Sequence, residues 1–242
     1  MLTILHRDDW LIAVHKPAGL LVHRTQIDAH ETLNAMTMLR DQIGQWVYPV
    51  HRLDKPVSGI LLFALDPETA RHLTLAFQQR STRKSYLAIT RGYCPTSGTI
   101  DYPLKEENDP ATDRLATPDK EAQSAITHYT RLATVEVPEP VGRYPTGRYS
   151  LMHLHPITGR KHQLRRHLKH IFHPIVGDTT HGDGCQNRFF RDRFGLKGLL
   201  LASTSLEIPH PISHLPLRLS TSPDPHFKSI LEQLELGSIH EH

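Results

Sequence analysis

His51-Arg52-Leu53-Asp54-Lys55-Pro56-Val57-Ser58-Gly59-Ile60-Leu61-Leu62-Phe63-Ala64-Leu65-Asp66-Pro67-Glu68 contains a loop, a strand and a helix start in one short stretch. The unbroken apolar run Ile60–Leu65 has strand length, so it predicts a strand covered on both faces. Asp66 then supplies an N-cap, Pro67 the first helical position and Glu68 an early acid. The helix that follows puts Ala70, Leu73, Ala76 and Phe77 on one stripe. Residues 51–59, ending in Pro, Ser and Gly, form the loop that feeds the strand. Within it Arg52 and Lys55 flank Asp54, and nearby cations keep a carboxylate ionised. At the mouth of a core strand such a group can serve as nucleophile or base; a surface turn with an ordinary ion pair is the alternative.

Leu11-Ile12-Ala13-Val14 predicts a second buried strand, closed by the turn residues His15-Lys16-Pro17-Ala18-Gly19. Residues 32–42 have helical composition and stop at Gly44. Tyr86-Leu87-Ala88-Ile89-Thr90 predicts a strand ending at Gly92, and Tyr149-Ser150-Leu151-Met152-His153-Leu154 one running into Pro156. Thr158-Gly159 turns the chain into a helix of about a dozen residues, striped by Leu164, Leu168, Ile171 and Phe172. Residues 199–208 are strand-like, and Asp224-Pro225 opens a last helix with Phe227, Ile230, Leu231 and Leu234 inward. Residues 137–147 predict a long loop, 105–125 an exposed insertion or lid, and 237–242 a disordered tail. Irregular interleaving and hairpin-like pairs near both ends favour an α+β class with a mixed sheet over a doubly wound one. One domain over residues 1–236 is expected.

The 242 residues are 38% hydrophobic, enough for a real core, and the 7% aromatic content makes that core mostly aliphatic. No apolar run approaches the ~18–20 residues of a membrane helix. The N-terminus lacks the basic-then-apolar pattern of a secretory signal. A cytoplasmic protein with no membrane partner is the expectation. Cys94 and Cys185 are the only cysteines, which excludes a disulfide framework, a Cys-based zinc ribbon and an iron–sulfur cluster.

Net charge is only +3, but residues 160–197 hold nine Lys/Arg against three acids, a local +6. That is the footprint of a polyanion binder; a merely solvated basic face is the alternative. In the run Thr158-Gly159-Arg160-Lys161-His162-Gln163-Leu164-Arg165-Arg166-His167 a helix N-terminus follows a strand, which favours phosphate there. Arg165, beside the inward Leu164, sits at the margin of the buried stripe and needs an acidic partner, for which Asp54 is the candidate. His167, His170 and His173 drift around a helix, and His173 precedes Pro174, so no metal is expected. P-loop, nucleophile-elbow, zincin and dinucleotide motifs are all missing, and no cofactor is implied.

His51-Arg52-Leu53-Asp54, Lys84-Ser85-Tyr86-Leu87-Ala88 and Thr158–Arg165 resemble, in order, the three core motifs of the RluA family of pseudouridine synthases. Lys16-Pro17-Ala18-Gly19 and the span from Leu201-Ala202 to His210-Pro211 resemble its flanking motifs. The resemblance implies a mixed, largely antiparallel sheet in two halves with the active cleft between them. It implies Asp54 as the catalytic aspartate, Arg52 helping to extrude the target base, Tyr86 against the uracil and Arg165 paired with Asp54. His51, Arg160, Lys161, His162 and Gln163 join Arg52 as expected substrate-binding residues.

The family's usual Thr-Ser-Gly after the aspartate loop is Val57-Ser58-Gly59 here, one hydroxyl fewer. Its common N-terminal S4 domain has no counterpart, so RNA contacts are expected from the catalytic domain itself. Gly142-Arg143-Tyr144-Pro145, Gly182-Asp183 and Gln186-Asn187-Arg188 look most like members that modify uridine 65 of tRNA. The resemblance also implies a cofactor-free monomer with no obligatory protein partner. The same chemistry on ribosomal RNA, or RNA binding without catalysis, are the alternatives.

Overall fold

The computed structural model describes residues 1–23, 33–106 and 121–236. Ten strands in these residues share one sheet: β1 (Thr3–Arg7), β2 (Leu11–Lys16), β3 (Tyr48–Pro49), β4 (Ser58–Ala64), β5 (Arg83–Arg91), β6 (Ser97–Asp101), β7 (Ile126–Val137), β8 (Gly147–Pro156), β9 (Leu201–Pro209) and β10 (Pro216–Ser220). Five helices flank it: α1 (Ala35–Ile43), α2 (Pro67–Gln78), α3 (Gln163–His170), α4 (Gly184–Phe194) and α5 (Pro225–Gln233). The strand order is β1-β2-β4-β9-β5-β8-β7-β6, with β3 beside β4 and β10 beside β9.

Every strand pair among these residues is antiparallel except β4 with β9. That short parallel pair, Ser58 opposite Ala202 and Gly59 opposite Ser203, is the seam between the two halves of the sheet. Gly59 has φ +115°, and a Cβ there would lie 2.0 Å from the Ser203 carbonyl oxygen. Only glycine lets the backbones approach this closely. The mixed sheet expected from the irregular spacing is therefore present, and its seam lies where the Asp54 loop enters β4.

β4 is buried at all seven positions, as the continuous apolar run requires. Asp66 caps α2 by accepting from Thr69 N, with Pro67 opening the helix. Leu73 is buried, and Ala70, Ala76 and Phe77 pack against the same cluster under β2 and β4. Phe227, Ile230 and Leu234 of the last helix are buried, with Leu231 beside them.

Three expectations need correcting. The helix after Thr158-Gly159 has only eight residues; Ile171 caps it, and Phe172 adopts φ +66° and is 85% exposed. The chain turns back there because Phe172 and His173 N–H groups bond to Lys169 and Leu168 carbonyls ahead of Pro174. The basic window is not one patch: Arg160, Lys161 and Arg165 line the cleft described below, whereas Arg188, Arg191 and Arg193 are exposed on α4, whose core side packs with α5. The sequence reading assigns no residues to β1, β3, β6, β7, β10 or α4, although the hairpin-like pairs it expects near both ends are present as β1–β2 and β9–β10. The 237–242 tail, most of the 105–125 segment and Thr32 lie outside the described residues; the helix expected over 32–42 starts at Ala35, capped by Asn34, and ends at Ile43. No helix among the described residues is long and apolar enough to cross a membrane.

Candidate active site

A cleft of about 610 Å³ opens over the seam of the sheet. All nine residues expected to act on substrate line it: His51, Arg52, Asp54, Tyr86, Arg160, Lys161, His162, Gln163 and Arg165. They arrive from three places far apart in sequence: the loop before β4, the middle of β5, and the 158–165 segment leading into α3.

One apolar cluster holds these three pieces in register. Leu53 and Val57 bracket Asp54 and are buried in it; Leu164 and Leu168 bracket Arg165 and are buried in it too. Tyr86 packs against the same cluster. Burying one Leu contributes about 1.5–3 kcal/mol, so the alternation of buried and cleft-facing positions is strongly enforced. Val57, where a threonine hydroxyl was missing, uses its side chain in this core and closes the loop through its backbone N–H on Asp54 O at 3.0 Å.

Arg165 is 5% exposed and uses three donors on two carboxylates. Its Nε and Nη2 donate to Asp178 Oδ2 and Oδ1 at 2.7 and 2.9 Å, while Nη1 donates to Asp54 Oδ2 at 3.2 Å. Burial works against its charge, but Asp178 and then Asp54 outweigh it and hold the guanidinium above its ordinary pKa. Asp178 is likewise desolvated, yet Arg165 and the His181 and Thr180 N–H groups keep its carboxyl below the usual range. Asp54 keeps more water, with its side chain 20% exposed against 1% for Asp178. His162 Nε2 stands 3.9 Å from the same Asp54 oxygen, and its Nδ1 lies 3.1 Å from His181 Nε2.

Behind the Asp54 loop, Lys16 is fully buried and donates to the carbonyls of Pro17, Leu20 and Lys55 at 3.0, 2.8 and 3.1 Å. Burial pulls its ammonium down to about 7, against an upward pull from Asp54. Tyr86 is pushed up to about 12 by burial, with Asp54 adding to the shift and Ser203 opposing it. Its phenol is neutral across the physiological range.

Two of the expected substrate-binding residues have their polar atoms engaged within the protein. Gln163 Oε1 accepts from Thr158 Oγ1 and Arg160 N, and its Nε2 donates to Ile126 O and Thr127 Oγ1. His51 Nε2 accepts from Leu62 N at 3.0 Å, its ring stacks on Phe77, and burial lowers its pKa to about 3. Both hold loops in place. Arg52, by contrast, is exposed at the cleft mouth. The three histidines with metal-like spacing are dispersed: His167 bonds Thr127 and Tyr102, His170 stacks on Tyr102, and His173 bonds the Arg91 carbonyl.

The pattern of the family described as RNA pseudouridylate synthase matches residues 10–170, which span all but the last pieces of this site. The tRNA pseudouridine synthase C of Pasteurella multocida is 52% identical over 241 residues, covering 99% of each chain. That of Vibrio cholerae is 50% identical over 233 residues, 96% of each chain. The chain belongs to the RNA pseudouridylate synthase family.

Solved structures agree. Human RNA pseudouridylate synthase domain containing 1 superposes with a TM-score of 0.71 at 26% identity, over 93% of this chain and 84% of that one. Human RNA pseudouridylate synthase domain containing 4 gives 0.70 at 28% identity, over 96% and 93%. As a pseudouridylate synthase the protein is an isomerase, and two of its site residues escaped the sequence analysis. Asp178 enters the sequence analysis only as one of the three acids of the 160–197 window, although Gly177-Asp178 marks a tight turn. Gly177 has φ +85°, and a Cβ there would lie 2.1 Å from the Gly198 carbonyl oxygen. Lys16 enters only as part of a turn and of a flanking motif, with no role of its own.

Proposed function

We propose that this protein isomerises uridine 65 of tRNA to pseudouridine, with Asp54 as the catalytic residue, acting as a cytoplasmic monomer. The observation that carries this reading is the Asp54–Arg165–Asp178 ion cluster beside Tyr86 in a cleft lined by basic residues. The near full-length likeness to proteins named tRNA pseudouridine synthase C supports tRNA over ribosomal RNA as substrate.

The reaction is redox-neutral and calls for no cofactor. The N1–C1′ bond breaks, the freed uracil turns within the cleft, and C5 bonds to C1′. The C5 proton leaves and N1 gains one. Asp54 supplies the carboxylate that acts on the nucleotide, at C1′, on the ring or at C2′. Arg165 keeps it aimed without drawing on solvent, because the guanidinium is itself held by Asp178. Tyr86 offers a neutral ring for stacking; its elevated pKa makes the phenol a hydrogen-bond donor at neutral pH rather than a titrating base. Turning the base out of the RNA costs a few kcal/mol, which Arg52 at the mouth helps to offset by filling the gap.

Position-resolved pseudouridine mapping of total tRNA incubated with the pure protein tests this. A single new pseudouridine at position 65, absent with Asp54→Asn, is the expected result. Conversion at another position or only in ribosomal RNA overturns the target, and conversion by Asp54→Asn overturns the mechanism.

A further inference from the structure

Lys84 precedes Tyr86 by two residues on β5, so both side chains leave the same face of the strand and enter the cleft. The ammonium reaches the turn at residues 158–159: a Cβ built on Gly159 would lie 3.8 Å from Lys84 Nζ. It is partly buried, and no described residue accepts a hydrogen bond from it or pairs with it.

This separates it from the other interior cations. Arg165 is held by two carboxylates, Lys16 by three carbonyls, and Arg160 Nε donates to Ser124 O. Burial alone lowers the Lys84 pKa; no carboxylate of the site reaches it. A desolvated ammonium without a built-in anion is costly. Its placement makes sense when the ligand brings the negative charge.

We propose that Lys84 receives a backbone phosphate of the target nucleotide once that nucleotide has turned into the cleft, an inference that rests on the uridine isomerase reading. A uracil carbonyl is neutral and leaves the charge unmatched; a phosphate cancels it. Lysine's compact charge with three rotatable donors suits a phosphate oxygen approached from any side. The i, i+2 step from Tyr86 spans about 7 Å along the strand. That matches the reach from a stacked uracil to its own nucleotide's phosphate.

The test uses tRNA transcripts with a single methylphosphonate linkage 5′ or 3′ of the target uridine, which removes one charge and little else. Turnover is read as tritium release from C5-labelled uracil, and affinity is measured in the Asp54→Asn background, where no turnover intervenes. One of the two neutral linkages is expected to raise KM and Kd roughly tenfold to a hundredfold when Lys84 is present. Lys84→Met shows a comparable rise on unmodified RNA with kcat within about threefold, the signature of lost ground-state and transition-state binding alike. In Lys84→Met the neutral linkage then adds less than about twofold, because both changes remove one interaction. Lys84→Arg, which keeps the charge, recovers most of the affinity.

Penalties that multiply in Lys84→Met, or a wild-type protein indifferent to both linkages, overturn the proposal. A thermal midpoint for Lys84→Met no lower than wild type shows that the variant is folded. If the wild-type protein converts no uridine, the isomerase reading falls; the affinity arm, run with linkages flanking uridine 65, still decides whether Lys84 meets a phosphate.

Discussion

Arg165 reaches Asp54 with one donor and Asp178 with two, so the shorter and drier contact belongs to the residue that does not face the cleft. The arrangement divides the work. Asp178, at 1% side-chain exposure, is an anchor, and Asp54, at 20%, is left with an open face toward the cleft.

Asp54→Asn is therefore expected to be stable as well as inactive. Arg165 keeps both bonds to Asp178, and the lost contact is partly solvated, so unfolding free energy changes by no more than about 1 kcal/mol. Urea unfolding and RNA affinity both stay near wild type while pseudouridine formation disappears. A variant that unfolds early would mean that Asp54 is structural and the division of roles is wrong.

Asp178→Asn behaves in the opposite way. The buried guanidinium loses its main counter-charge, and breaking a buried pair on one side costs about 3–5 kcal/mol. The Thr180 and His181 N–H groups lose a charged acceptor as well. Thermal melting falls by many degrees, and turnover drops because Arg165 is no longer fixed beside Asp54. Unchanged melting with unchanged turnover is the result that this account cannot absorb.

What the sequence revealed and what it hid follow from the physics of each element. β4 and α2 were legible because a continuous apolar run and an Asp-Pro-Glu start are local signals that tertiary structure merely uses. The nine cleft residues were legible through motif resemblance. β7 was hidden: it is a twelve-residue strand with only three buried positions, Thr127, Tyr129 and Val137, and Thr, His and Arg scattered along it. Its order comes from long antiparallel pairings with β8 and β6, which no local window contains. α4 carried its caps in plain view, Asp183 accepting from Cys185 and Gln186 N–H and Gly195 in the left-handed region. Its arginines were counted as charge and not as helix. Asp178 was hidden for a third reason. Its partner Arg165 had been given to Asp54, and spacing alone does not show that one guanidinium serves two acids.

Lys16 fixes the Asp54 loop from beneath, through the Lys55 carbonyl. Lys16→Met leaves buried carbonyls short of a donor, each worth about 1–3 kcal/mol, offset in part by removal of a desolvated charge. Gly19 N still donates to Lys55 O, so the loop loosens without detaching. A net loss near 2 kcal/mol by chemical denaturation is expected, together with a fall in kcat larger than any rise in KM. Equal stability with intact kcat would show that the Lys16 contacts are incidental.

Acid should unfold this protein early, and His51 shows why. Its folded pKa, lowered to about 3 by burial, lies below the ordinary 6.5 of the unfolded chain. For a group depressed in the folded state, stability is intact above the unfolded pKa and is lost progressively as pH falls towards the folded one. Between pH 6.5 and 3 the unfolded chain binds a proton that the folded one refuses. At pH 5 this single residue removes about 2 kcal/mol. His15, His153, His155 and His167 are shifted in the same direction, also mainly by burial, and add to the slope. Urea titrations at pH 7.5 and pH 5 measure the total, and His51→Gln isolates one term. Glutamine keeps an acceptor for the Leu62 N–H but does not titrate, so the variant should lose about 2 kcal/mol less than wild type over that interval. Identical pH dependence in the two proteins would mean that the His51 ring can be protonated in place, and that the loop before β4 is more open than its contacts with Leu62 and Phe77 imply.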